Sequence, residues 1–257
     1  MNMATVFDIY AAIDTFAPFS SCESFDNVGL LIGNGEQPVK NCLLTLDITH
    51  EAIREAQEKD CQLILTHHPV IFHPLKRVAF DSVQGELLAS HIAVISAHTN
   101  MDKAAGGVNE TLARIIGLRE LSPLQGDACA CIGRLPFDEP VDAETLADHL
   151  AKVLSLHGLR LYDAGRPVLT AALCCGGGGS YVHDAIDAGA DVLISGDFKH
   201  DQVIDAANAG LCCIDCGHFE TERHFLAIAQ DLLAGQFPDV TFIPAESCHP
   251  HFVYKTF

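Results

Sequence analysis

This chain predicts an α/β protein with mainly parallel sheets covered by helices, arranged as two successive units. Three observations carry that prediction. Apolar runs of strand length alternate with amphipathic segments of helix length along most of the chain. The alternation breaks at Leu118 to Asp127, where Pro123 and Gly126 fall and no periodicity is clear, and then resumes. Clusters of histidine and carboxylate sit just past the ends of apolar runs, where a rigid sheet presents functional groups to a loop.

The first unit reads in order. Thr5 to Phe16 places Val6, Ile9, Tyr10 and Ile13 on one helical face, and Pro18 lies just beyond. A turn from Phe25 leads into the short apolar strand ending near Gly33. Asn41 to Leu46 is the next strand, and Thr49 caps a helix to about Lys59. Gln62 to Leu65 is a strand that runs into His67, His68 and Pro69. A loop with His73, Pro74, Lys76 and Arg77 follows. Then come a helix over Asp81 to Ser90, a strand over Ile92 to Ala97, a loop carrying Asp102, Gly106 and Gly107, and a helix over Val108 to Ile116.

The second unit opens with a strand at Ala128 to Leu135 and a helix over Asp142 to Leu154, capped by Asp142. Gly158 to Tyr162 and Val168 to Cys175 read as strands, and the glycine run Gly176 to Gly179 follows. Helices over Tyr181 to Ala188 and Gln202 to Ala209 alternate with strands at Asp191 to Ile194 and Leu211 to Ile214. One helix over Phe219 to Leu233 and a strand over Val240 to Ile243 close the chain.

Composition excludes several classes. At 257 residues the chain is long enough for one large domain or two small ones, and its 49% hydrophobic and 19% charged residues mark a folded protein. No apolar run is long enough to span a bilayer. Residues 1–8 lack the pattern of a secretory signal, so the cytoplasm is the expected compartment. A formal net charge of -19 argues against grip on a nucleic-acid backbone, which needs a basic footprint. Of 11 cysteines, Cys42, Cys61, Cys174, Cys175, Cys212 and Cys213 lie in apolar runs, as small buried hydrophobes do. Cys213 and Cys216 form one C-x-x-C with no second, which favours core packing over a zinc or redox site.

The polar clusters carry the chemistry. Neutral imidazole is the commonest protein metal ligand. Adjacent His67 and His68 point to opposite faces of an extended strand, so both serve one place only if the strand ends there or two metals sit side by side. Taken alone, the dipeptide is explained slightly better by a hydrogen-bonded histidine pair at a strand end. Asp102, four residues after His98, is either a carboxylate ligand among imidazoles or a turn or capping residue. His218 and Glu222 are spaced i, i+4 at a helix start and share a face. Glu220 points elsewhere on that helix and suits the positive end of its dipole. His50, His73, His91, His149, His157, His183, His224, His249 and His251 read as surface or internally satisfied histidines. The run Gly176 to Gly179 is either a phosphate-binding turn or a tight strand-to-helix turn; it is neither G-x-G-x-x-G nor a P-loop. Lys199 is either a partner for a substrate anion or an exposed lysine.

The same stretches carry a resemblance. Asp26-Asn27-Val28-Gly29-Leu30, Thr66-His67-His68-Pro69, His98-Thr99-Asn100-Met101-Asp102 with Gly107-Val108-Asn109, the glycine run through Ser180, Ser195-Gly196-Asp197-Phe198-Lys199-His200, and Asp215-Cys216-Gly217-His218 with Glu222 occur in this order. In them the chain resembles the Nif-three-like family of dinuclear metal-centre proteins, type 2 GTP cyclohydrolase I homologues, over essentially its whole length. The resemblance implies two similar three-layer α/β domains with a metal site between them: residues 1–122 with 217–257, and residues 123–216. It implies metal ligands at His67, His68, Asp102, His218 and Glu222, two divalent ions per chain, and a homohexameric ring. The ligand types suit zinc, manganese, iron, cobalt and nickel alike. One departure is Phe25, where tryptophan is expected.

Two readings of function follow. Two divalent ions sharing Glu222 suit metal-dependent hydrolysis of a small nucleotide-like substrate, and opening of the guanine ring of GTP is the activity the resemblance implies. His98 then serves as a proton carrier or a group behind the ligands. The alternative is a metal-binding ring without turnover, acting as adaptor, metallochaperone or regulator. Phosphodiester processing fits two metals but fits the net charge poorly.

Overall fold

Thr5 starts the first helix. Its N–H donates to Asp8 Oδ2 at 2.7 Å and the Asp8 N–H donates to Thr5 Oγ1 at 3.3 Å, a reciprocal box that caps α1 (Val6–Phe16). The structure, a computed structural model, describes residues 3–253 and 255, with Asp127 described by its backbone alone. The chain divides into two compact units, residues 1–107 with 225–249, and residues 108–224 with 250–257.

In the first unit, β1 (Gly29–Ile32), β2 (Asn41–Thr45), β3 (Leu63–Thr66), β4 (Ala93–Ser96) and β11 (Thr241–Pro244) form a five-stranded sheet of order β1-β4-β3-β2-β11. The four strands from β4 to β11 are parallel, and only the edge strand β1 runs against its neighbour. Helices α2 (His50–Glu58) and α3 (Val83–Ala89) begin at Thr49 and Ser82, whose hydroxyls accept from Ala52 and Gly85 N–H groups. Leu43, Ile53, Ile64, Leu87 and Val94 bury one continuous core there. Thr45, Thr66 and Ser96 lie side by side in register, so everything just past them emerges at one edge of the sheet.

In the second unit, β5 (Arg119–Leu124), β6 (Asp127–Arg134), β7 (Arg160–Tyr162), β8 (Thr170–Leu173), β9 (Val192–Ser195) and β10 (Cys212–Asp215) form a six-stranded sheet of order β5-β6-β8-β9-β10-β7. Strands β8, β9 and β10 are parallel, which brings Leu173, Ser195 and Asp215 to one edge. The pairs β5–β6, β6–β8 and β7–β10 are antiparallel, so this sheet is mixed rather than mainly parallel. The helices of this unit are α5 (Val108–Ile116), α6 (Ala143–Val153), α7 (Val182–Asp187), α8 (His200–Ala209) and α9 (His218–Glu222).

Four local expectations are corrected. The stretch expected as a boundary, residues 118–127, contains β5, an exposed edge strand; it turns back through Gln125 (φ 49°) and Gly126 (φ 84°), a two-residue hairpin turn with both residues left-handed. The expected loop carrying Asp102 is a short helix, α4 (Thr99–Lys103). The expected helix over 219–233 is broken into α9 and α10 (Phe225–Ala234). Around the break, Arg223 Nη2 donates to the Leu154 carbonyl at 2.6 Å, and a His224 ring nitrogen bonds the Val108 carbonyl at 2.8 Å. The chain therefore passes between units before α5 and after α9, not near residues 122 and 217. Helix α5 is held in the second unit by Asn109, whose amide donates to the Cys129 carbonyl and accepts from the Cys175 N–H, both at 2.8 Å.

All eleven cysteines are thiols. Cys213 and Cys216 are fully buried; burial pushes the Cys213 thiol up to about 12 and the Cys216 thiol further, so both behave as core residues. Among the described residues, no helix is long and apolar enough to cross a membrane.

Candidate functional site

The edge of the first sheet assembles a histidine group. His67 and His68 follow Thr66 directly, and their N–H groups donate to the Thr45 and Leu46 carbonyls at 3.2 and 2.9 Å, extending β3 by two residues. His98 lies two residues past Ser96, in the equivalent place on β4. The rings of His67, His68 and His98 sit with centroids 5.1 to 5.4 Å apart, and one nitrogen from each falls within 4.8 Å of the others. Asp102, buried on α4, places Oδ1 3.5 Å from His67 Nε2. The resemblance-implied trio of His67, His68 and Asp102 is thus a single cluster within this unit, and His98 belongs to it.

Each ring has a defined tautomer. His67 is fully buried against Phe225, with centroids 4.9 Å apart, and its Nδ1 lies 2.9 Å from the Ala97 carbonyl oxygen. A carbonyl only accepts, so Nδ1 carries the proton and Nε2 presents a lone pair. His68 Nδ1 lies 2.8 Å from Asp47 Oδ1, and His98 Nδ1 lies 2.9 Å from Asp26 Oδ1. The other Asp26 oxygen accepts from the Thr99 N–H at 3.1 Å and from its hydroxyl at 2.5 Å. Burial pushes the Asp26 carboxyl up, but the hydrogen bonds from His98 and Thr99 outweigh it and hold the pKa at about 2. Asp26 therefore fixes a histidine and starts α4 with the same carboxylate.

The edge of the second sheet carries the other donors. His218 opens α9, and Glu222 lies one turn later with Oε2 3.2 Å from His218 Nε2, as the i, i+4 spacing requires. Glu222 is buried, and His218 Nδ1 lies 2.9 Å from Asp197 Oδ2. The glycine run packs against this pair. A Cβ on Gly176 would lie 2.2 Å from Glu222 Oε1 and 3.1 Å from His218 Nε2. Gly178 and Gly179 leave room in the same way for Ser195 Oγ and for Gln202. The run is thus a close-packed strand-to-helix turn, with the Gly176 N–H on Thr221 Oγ1 at 3.0 Å and the Gly178 N–H on Ser195 Oγ at 2.7 Å. Lys199 is exposed. Glu220, the weaker carboxylate candidate by spacing, is buried among the folded residues of α9 and lies over Gly217.

The three aspartates behind the histidines, Asp26, Asp47 and Asp197, are given no chemical role by the sequence, although Asp26 and Asp197 stand in its motifs. Asp47 and Asp197 each lie two residues past a strand end, at Thr45 and Ser195. The strand-end rule that singles out His68 would have found them. Asp26 lies 72 residues from His98 and gives no local signal beyond its place in a motif. Two of the remaining histidines are satisfied by carbonyls, His149 by Ile116 and His224 by Val108.

These donors fit a divalent metal. His67, His68 and His218 have their Nδ1 atoms tied to fixed acceptors, which turns Nε2 toward a cation, and Asp102 and Glu222 add buried carboxylates.

A family model described as Duf34/NIF3 (NGG1p interacting factor 3) matches residues 4–249. A Clostridium perfringens protein named GTP cyclohydrolase 1 type 2 homolog is 33% identical over 96% of this chain and 98% of its own length. NIF3-like protein 1 of Drosophila melanogaster is 32% identical over 82% of this chain and 76% of its own. The crystal structure of Staphylococcus aureus hypothetical protein SA1388 superposes with a TM-score of 0.88 at 25% identity, covering 99% of this chain and 100% of that one.

Proposed function

Because this chain belongs to the Duf34/NIF3 family, we propose that it is a dinuclear metal protein and a metal-dependent hydrolase of a small nucleotide-like substrate. The observation that carries the reading is the group of His67, His68 and His98 nitrogens within 4.8 Å of one another, with Asp102 beside His67. His67, His68, Asp102, His218 and Glu222 are the proposed ligands of two divalent ions. What such ions supply is Lewis acidity toward water and toward a carbonyl or phosphoryl oxygen.

The chain's own residues do the rest. Asp102 and Glu222 bring negative charge into buried positions, which favours a cation there. His98 is half-buried and its Nδ1 proton is directed to Asp26, so Nε2 is the atom that takes or gives a proton at the sheet edge. Opening of the guanine ring of GTP is the proposed reaction, supported by relatives that carry the name GTP cyclohydrolase 1 type 2 homolog. A hexameric ring in the cytoplasm is proposed with it. Phe25, 62% exposed, and Phe80, 98% exposed, leave apolar surface open on the single chain, and sedimentation velocity tests the assembly.

The test is turnover of GTP by stripped protein reloaded separately with zinc, manganese and iron. Glu222→Gln is assayed beside it, and products are separated by chromatography. Metal-dependent loss of GTP with formate release, absent in the variant, is the expected result. Phosphate release would make it a phosphohydrolase. Bound metal without turnover would leave a metal-binding adaptor or chaperone, and full metal occupancy in Glu222→Gln would remove that residue from the ligand set.

A further inference from the structure

We propose that Asp47 and Asp197 are positioning residues whose purpose is to set the metal affinity of His68 and His218 rather than to hold the fold; this rests on the metal-binding reading above. Both carboxylates meet the Nδ1 atom of their histidine, at 2.8 and 2.9 Å, so both direct Nε2 away from themselves as a lone-pair donor. A carboxylate behind an imidazole also raises its basicity and removes rotational freedom from the ring.

Their surroundings argue against a role in stability. The Asp47 side chain is 48% exposed and that of Asp197 is 64% exposed, and ion pairs so open to water contribute little to folding. Asp197 also stands at φ +54°, the left-handed region where a side chain is strained, so its backbone opposes the fold while its carboxylate serves His218. Asp26 makes the same contact with His98 but is buried and starts α4 as well, so its removal would disturb structure and site together. The two exposed aspartates separate those effects.

The experiment titrates zinc into stripped full-length protein and into Asp47→Ala, Asp47→Asn, Asp197→Gly and Asp197→Asn. It also records the cobalt(II) absorption spectrum and the thermal midpoint of each metal-free form. Glu86→Gln, which takes the charge from a similar surface contact to His50 at 2.6 Å, is the control. The Ala and Gly variants should bind zinc about ten- to a hundred-fold more weakly. The Asn variants, which keep an acceptor but lose its charge, should fall between, and the cobalt bands should shift. Asp197→Gly should melt at or above the parent temperature when metal-free, so stability and affinity move in opposite directions. Parent-like zinc affinity in Asp47→Ala and Asp197→Gly would overturn the proposal, as would an equal loss in Glu86→Gln. A fall of midpoint and affinity together in Asp197→Gly would also overturn it. If the parent protein binds no zinc or cobalt, the metal-binding reading falls and takes this one with it.

Discussion

Gly176 shows how much of this site depends on an absent side chain. At φ +61° it occupies left-handed backbone, and any Cβ there would press on Glu222 Oε1 from 2.2 Å. The glutamate is a flexible side chain and would yield, but yielding moves the carboxylate from His218. Gly176→Ala should therefore cost about 1–3 kcal/mol of stability from the backbone strain alone. It should weaken zinc binding as well, read by denaturant titration and by calorimetry on the same preparation. Asn109 makes a different prediction at the same scale. Its amide is buried and satisfies the Cys129 carbonyl and the Cys175 N–H. Asn109→Ala leaves both without that partner and should destabilise the protein by about 2–4 kcal/mol, measured as a lower urea midpoint.

Among the elements, β11 pairs in parallel with β2 and carries a charged clasp just past its end. The Glu55 carboxylate on α2 accepts from the Glu246 and Ser247 N–H groups at 2.9 Å and from the Ser247 hydroxyl at 2.5 Å, just past the end of the strand. Lys59 Nζ lies 2.7 Å from the same carboxylate. Burial pushes the Glu55 pKa up, but the bonds from Lys59, Ser247 and Glu246 overcome it and hold it at about 2, below its ordinary 4.5. The folded protein thus binds this proton less readily than the unfolded chain. The stabilisation is complete above about pH 4.5 and is lost as pH falls toward 2. Glu55→Gln should lower stability at pH 7 by about 2 kcal/mol and flatten the dependence of the thermal midpoint over that window. A parallel pH profile in the variant would show that Glu55 does not carry it. The same scale separates what was legible in the sequence from what was not. Helices that start at their own Thr or Ser, as α1, α2 and α3 do, announce themselves within four residues. Helix α4 does not, because its start is supplied by Asp26, 73 residues away. Edge strand β5 is exposed from Arg119 to Pro123 and has no buried face to leave an alternating pattern. The break between α9 and α10 is held by the Leu154 and Val108 carbonyls, partners that no local window contains.

At the scale of the molecule, the donors are set on sheets that already have cores of their own. Leu43, Ile64 and Val94 are buried beneath the edge that carries His67 and His98, and Ala172, Leu193 and Cys213 beneath the edge that carries His218. This is why His67, His68 and His218, among the proposed ligands, stand out when the sequence is read past strand ends: parallel register brings the ends together whatever the loops do. It also sets what metal removal should do. In a small zinc domain the metal replaces the core and chelation unfolds the chain. Here the apolar packing of both sheets is independent of the donors, so stripping the protein with a chelator should leave its far-ultraviolet circular dichroism unchanged. Only the stabilisation from binding should be lost, about 2.7 kcal/mol for free metal at a hundred times its dissociation constant. A thermal midpoint that climbs with the logarithm of free zinc and returns to a fixed lower value in chelator is the expected result. Unfolding at room temperature on chelation would mean that the ions carry the fold, and that the strand ends do not present their ligands without them.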